Sequence, residues 1–213
     1  MNYVLSGLYF IEYLFLAGAY LLGSVPFGLL VGAALHNVDI REHGSGNIGA
    51  TNVLRKMGPR IGLLVLILDM GKGIVIMILA RYLQFGEEVT LVAGFLVVLG
   101  HCFPIFLQFQ GGKGVATALG VLLSTPGFAI PMLIILLIFL AVVWTTRYVS
   151  LGSVVAAALI PVCFFILATT DIFDYTYMHI FFGLGLAGVV IYRHRENISR
   201  LLKGDESKIQ WGK

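Results

Sequence analysis

Lys113 stands in the run Gly111-Gly112-Lys113-Gly114, followed by Val115, Ala116 and Thr117, and the run opens directly into an apolar stretch. Glycines let the backbone approach a ligand closely, and the unpaired N–H groups at a helix start attract anions. An ammonium among them adds a full positive charge. The run therefore predicts a phosphate- or carboxylate-binding loop with Gly111, Gly112, Lys113, Gly114 and Thr117 as its contacts. It is not a Walker A loop, which needs Gly at Leu107 and Ser or Thr at Gly114. Read as a plain connection, it is a turn carrying one lysine.

A second stretch, Gly44–Asn52 (GSGNIGATN), has the same character. It presents Ser45, Asn47, Thr51 and Asn52, with Arg55 a turn further on if the segment is helical. Hydroxyls and amides donate or accept, and a guanidinium pairs with phosphate through two parallel bonds. Such residues also make ordinary turns, but this run beside Arg55 exceeds what a turn requires. Farther along, Arg147 and Ser150 follow one apolar segment. His194 and Asn197 follow another, three positions apart and so on one helix face. The neighbouring arginines read as the flank of a membrane span; His194 and Asn197 are not explained that way.

His101 is open between a place in the ligand shell and a packing role. Asp69 and Lys72 lie inside an apolar segment, where charge is costly and often functional; an i, i+3 ion pair is also a sufficient structural account. His36, His43, His101, His179 and His194 show no metal-ligand spacing. No Asp stands five places after any of them, so the HxxxxD acid/base motif of the common glycerolipid acyltransferases is absent. There is no GxSxG elbow and no carboxylate cluster for metal-assisted phosphoryl transfer. The expected site holds anions and stabilises charge, with no metal and no cofactor.

The elements that must position these residues are membrane-spanning. Of 213 residues, 59% are hydrophobic and 12% charged, with mean hydropathy +0.95, too apolar for a soluble domain. Seven apolar segments are expected, at Leu5–Leu35, Ile61–Leu83, Val89–Leu107, Val115–Ser124, Phe128–Thr146, Leu151–Thr169 and Tyr175–Tyr192. Pro26 and Gly28 predict a kink or break in the first, and Thr125-Pro126-Gly127 a turn after the short fourth. Met1–Phe10 carries no Lys or Arg, so no cleavable signal is expected. Cys102 and Cys163 lie in separate apolar segments and suggest neither disulfide nor metal.

With seven crossings, every Lys and Arg except Lys72 and Arg81 falls on one side of the membrane. The positive-inside rule then places the N-terminus outside and the C-terminus in the cytoplasm. Both glycine-rich loops, Arg147 with Ser150, and His194 with Asn197 fall on the cytoplasmic face. The outer connections near Gly86, Thr125 and Asp171 carry no comparable chemistry. The chain is expected to be one transmembrane domain over 1–203, with 204–213 a polar, basic, solvated tail.

Taken together, GSGNIGATNVLR (44–55), HCFPIFLQFQGGKGVAT (101–117), RYVSLGS (147–153) and YRHRENISRLL (192–202) resemble the bacterial acyl-phosphate-dependent glycerol-3-phosphate acyltransferases. The resemblance covers nearly the whole chain in order. It implies an all-α integral protein of the bacterial inner membrane. Such an enzyme would transfer a fatty acyl group from acyl phosphate to the 1-hydroxyl of glycerol 3-phosphate. The products would be lysophosphatidic acid and phosphate, at the start of phospholipid synthesis; acyl-CoA would not serve as donor. It further implies that Gly111–Gly114 hold a phosphate through their amides. Ser45, Arg55, Lys113, Ser150, His194 and Asn197 match positions tied to binding and catalysis, with Ser45, Lys113, His194 and Asn197 the catalytic candidates. In this family a substrate phosphate is thought to take the hydroxyl proton, which fits the missing acid/base motif. Partners are then glycerol 3-phosphate, acyl phosphate and membrane lipids, and no nucleic acid. A transporter of a phosphorylated metabolite is the alternative, but it calls for polar residues through the midplane, which are nearly absent apart from Asp69 and Lys72.

Overall fold

The computed structural model describes residues 2–170 and 174–209, residues 2–8 by backbone alone. The connection at Asp171 and the end of the tail at Lys213 lie outside the described residues. No strand occurs among the described residues, and the elements are α1 (Asn2–Gly23), α2 (Phe27–His36), α3 (Ala50–Met57), α4 (Pro59–Tyr82), α5 (Glu87–Cys102), α6 (Val115–Leu123), α7 (Ala129–Thr146), α8 (Val149–Thr169), α9 (Tyr177–Arg193) and α10 (Arg195–Lys203). Their contacts group into two compact units, residues 1–124 and 125–213.

Local chemistry sets most boundaries. Pro26 has no N–H for the carbonyl of Leu22, and its ring forces Val25 out of the helix, so the first apolar segment breaks into α1 and α2 at a 44° bend. Asn37 closes α2 in the left-handed region, its N–H returning to Ala33. Gly58, at φ 86°, separates α3 from α4, and Pro59 takes the first helical position of α4. Phe103-Pro104 ends α5, so the segment expected to run to Leu107 finishes as a short 3-10 turn at Ile105–Leu107.

Among the described residues, four helical stretches have the length and composition to cross a membrane: Pro59–Tyr82, Glu87–Leu107, Ala129–Thr146 and Val149–Thr169. The bent pair of Tyr9–Gly23 and α2 adds a fifth if it is counted as one span, and Tyr177–Arg193 is a shorter apolar helix. With nine residues, α6 is about 14 Å long, under half of a hydrocarbon core of about 30 Å. Four to five crossings are therefore what helix length alone supports, against the seven expected.

In the first unit, α1 meets α5 at Gly23 and Gly100, where a Cβ would run into the facing backbone at Val97 and Tyr20. The pair α4 and α6 approach in the same way through Gly73 and Gly120. The first glycine-rich stretch is seated by apolar residues: Ile40, Ile48 and Val53 pack with Val65 of α4, with Leu107 at the edge. In the second unit, Phe164 of α8 stacks on Phe128 at 4.1 Å and meets Tyr175, His179 and Phe182. His179 also caps α9 by accepting from the Thr176 N–H. Ile130, Leu137, Trp144 and Phe181 stand well exposed, as lipid-facing side chains do.

Candidate functional site

The first unit brings the two glycine-rich stretches together. Asn47 Nδ2 donates to the Gly111 carbonyl at 3.3 Å, while Asn47 Oδ1 accepts from the Gly49 N–H at 2.9 Å. One side chain thus shapes its own loop and ties it to the other. Asn52 holds the first loop from inside. Its Oδ1 accepts from the Ser45 N–H at 3.1 Å, and its Nδ2 faces the carbonyls of Ile40, His43 and Asn47. At 3% exposure Asn52 is placed as the loop's internal brace, whereas Ser45 stands exposed at the loop surface. Thr51 and Arg55 follow on α3, the guanidinium-bearing Arg55 exposed.

The second loop starts from the end of α5. Gly112 N–H donates to the His101 carbonyl at 2.9 Å, and a Cβ at Gly112 would collide with the His101 ring. Only glycine fits there. Gly114 sits at φ 82° and begins α6, a conformation that side-chain-bearing residues rarely adopt. Lys113 between them is half-buried. Thr117, in the first turn of α6, is wholly buried, and its Oγ1 has no hydrogen-bond partner among the described residues. Nearby charge is partly neutralised: the Arg41 side chain bonds Asp39 at 2.6 Å and holds that carboxyl down at about 2.

The second unit carries the other candidates around Glu206, which lies in the tail expected to be solvated but is buried. Glu206 Oε1 accepts from Ser150 Oγ at 2.7 Å and from Asn197 Nδ2 at 2.6 Å, and its Oε2 accepts from Arg200 Nε at 2.8 Å. Ser150, Asn197 and Glu206 are all buried. Burial by itself pushes the Glu206 carboxyl up, but the hydrogen bonds from Ser150, Asn197 and Arg200 outweigh it and hold it below its ordinary value. Ile209 N–H donates to the Arg147 carbonyl at 2.8 Å, so the segment after α10 docks on the α7–α8 connection. The Arg147 side chain itself is exposed.

His194 falls between α9 and α10, and is 2% exposed. Its Nδ1 lies 2.8 Å from the Val190 carbonyl, which can only accept. In the neutral ring Nδ1 then carries the proton, and Nε2 is the basic nitrogen. The expected helix-face pair of His194 and Asn197 thus becomes a helix junction followed by the first turn of α10. No feature near Glu206 in sequence marks it out. Its Ser150 partner is 56 positions away.

These features can be set beside known proteins. A model of the glycerol-3-phosphate acyltransferase family matches residues 13–204. The glycerol-3-phosphate acyltransferase of Desulforudis audaxviator is 45% identical over 92% of this chain and 94% of its own. That of Carboxydothermus hydrogenoformans is 46% identical over 90% and 93%. Crystal structures of the integral membrane glycerol 3-phosphate acyltransferase PlsY (YgiH) are similar in fold. Its glycerol 3-phosphate form has a TM-score of 0.83 at 40% identity, covering 93% of this chain and 96% of that one. Its lysophosphatidic acid form has a TM-score of 0.81 at 39% identity, covering 93% and 95%.

Proposed function

Because this chain belongs to the glycerol-3-phosphate acyltransferase family, we propose that it acylates the 1-hydroxyl of glycerol 3-phosphate with acyl phosphate as donor. The observation that carries this reading is the Asn47–Gly111 bridge, which joins two glycine-rich loops beside Arg55 and Lys113. Acyl phosphate is a mixed anhydride with a good leaving group. Its reaction needs its partner held close and charge stabilised as phosphate departs, more than it needs a strong side-chain base. The hydroxyl oxygen attacks the acyl carbon, the acyl–phosphate bond breaks, and the released phosphate carries the proton away.

In this reading the amides of Gly111 and Gly114 and the ammonium of Lys113 hold a phosphate, Gly112 seats the loop by donating its N–H to the His101 carbonyl, and the hydroxyl of Thr117, without a partner among the described residues, supports them. Ser45, Asn47, Thr51 and Arg55 offer donors from the first loop, while Asn52 and His101 brace the loops. In the second unit, Ser150, Asn197 and the Nε2 of His194 keep the roles implied by the resemblance, with Arg147 an exposed cation.

The protein is a multi-pass helical membrane protein, and we place it in the bacterial inner membrane with seven crossings, the N-terminus outside and the active face cytoplasmic. The one-sided distribution of Lys and Arg supports this; the short α6 is the crossing it strains most. The test is product formation by the purified protein from glycerol 3-phosphate and acyl phosphate. Lysophosphatidic acid and phosphate released one for one support the reading, and no product overturns it.

A further inference from the structure

A buried ammonium that the proposed chemistry does not use lies under the second loop. Lys72 Nζ pairs with Asp69 Oδ1 at 2.9 Å, both side chains at most 2% exposed. An i, i+3 pair could satisfy itself on α4 alone, yet Lys72 also donates to the carbonyls of Gly23 at 3.0 Å and Val25 at 3.1 Å. The Gly23 carbonyl is orphaned by the break before Pro26, because the Phe27 N–H that would serve it in a continuous helix turns to Val25 instead. The fourth neighbour is His101 Nδ1 of α5, at 3.0 Å.

This geometry holds the histidine ring from its Nδ1 side. Lys72 has three N–H groups for four neighbours, so Nδ1 either accepts from Lys72 or carries the ring proton toward Asp69, and in both arrangements the Asp69–Lys72 pair holds the ring. Asp69 Oδ1, at 3.5 Å from Nδ1, is the more distant neighbour. The Nε2 end of the ring is where a Cβ on Gly112 would fall, and the His101 carbonyl receives the Gly112 N–H.

We propose that Lys72, paired with Asp69, is a positioning residue for the anion loop. It fixes the His101 ring beneath Gly112 and at the same time caps the broken end of α1. One ammonium thereby sets both the seat of Gly111–Gly114 and the bend of the first span. Lys72 acts through His101 and touches no substrate. The inference rests on the reading that this loop holds a substrate phosphate.

The test uses the full-length protein purified in detergent. The double variant Asp69→Asn/Lys72→Met removes both buried charges together, avoiding an unpaired one. The expected result is a monodisperse protein whose KM for one of the two phosphate substrates rises about tenfold or more while kcat falls much less. Activity that falls only in step with the amount of folded protein, with both KM values unchanged, overturns the proposal. If the double variant does not fold, His101→Gln and His101→Asn decide. Gln can place its amide where Nε2 stood and should retain substrate affinity; Asn, which reaches only the Nδ1 position, should lose it. Equal or reversed behaviour overturns the proposal. If the wild-type protein makes no lysophosphatidic acid, the proposed function fails separately, and melting with and without inorganic phosphate reads the loop directly. A phosphate-induced rise in the wild type that the variant loses supports the positioning role; no rise in the wild type, or the same rise in both, overturns it.

Discussion

Asn47 and Gly111, 64 positions apart, are joined by a hydrogen bond of 3.3 Å from side-chain amide to backbone carbonyl. The bond converts two separate glycine-rich turns into one surface of amides and hydroxyls in the first unit. Asn47→Ala removes both this bond and the one to the Gly49 N–H, each worth about 1 kcal/mol. A several-fold rise in the KM of a phosphate substrate is expected, measured by steady-state kinetics. Asn47→Asp should be worse, because it sets a carboxylate against the Gly111 carbonyl.

Lys113→Ala should reduce turnover by about 100-fold or more, the scale of losing one charge stabiliser, while membrane insertion stays normal. Ser45→Ala leaves the Ser45 N–H bond to Asn52 in place and so tests the hydroxyl alone. Both it and Arg55→Ala should impair activity strongly. Lys208→Ala is the control: its ammonium lies 5.4 Å from the Tyr148 ring and should not matter for turnover. Specific activity of purified variants checks all four.

Glu206 gives a pH signature. Its folded carboxyl titrates below its ordinary value of 4.5, so the stability it contributes is present above that value. It is lost as the pH falls from there through the lowered folded value. Glu206→Gln keeps the shape but loses the charge, and should be about 2 kcal/mol less stable near neutrality. The gap between wild type and variant should close below pH 4.5, read as melting temperature against pH. A constant gap would mean that the charge plays no part.

A reporter active only in the cytoplasm, fused to the C-terminus, checks the proposed orientation. A signal is expected. A silent reporter would mean that the number of crossings is wrong by one.

Several elements were legible because their causes are local. Pro26 announced the break in the first span, and Gly114 before an apolar run announced the start of α6. The short fourth segment was legible, expected at Val115–Ser124 and found as α6, whereas the end of α5 was not, because the apolar composition runs on to Leu107 past the stop that Phe103-Pro104 imposes. Asn52 looked like a ligand because its side chain is polar; only the fold shows its amide engaged with Ile40, His43, Ser45 and Asn47. Asp69 and Lys72 were visible as a pair, but their third member, His101, lies 29 positions from Lys72. Glu206 stood in a basic tail and read as solvated, since its burial depends on Ser150 and Asn197 arriving from α8 and α10.

The central claim is that this chain draws its acyl group from acyl phosphate. The most direct measurement offers the purified protein glycerol 3-phosphate with two donors at once, palmitoyl phosphate and oleoyl-CoA, and weighs the product by mass spectrometry. The account predicts palmitoyl lysophosphatidic acid alone, with phosphate released in equal amount. Oleoyl lysophosphatidic acid as the main product would contradict it.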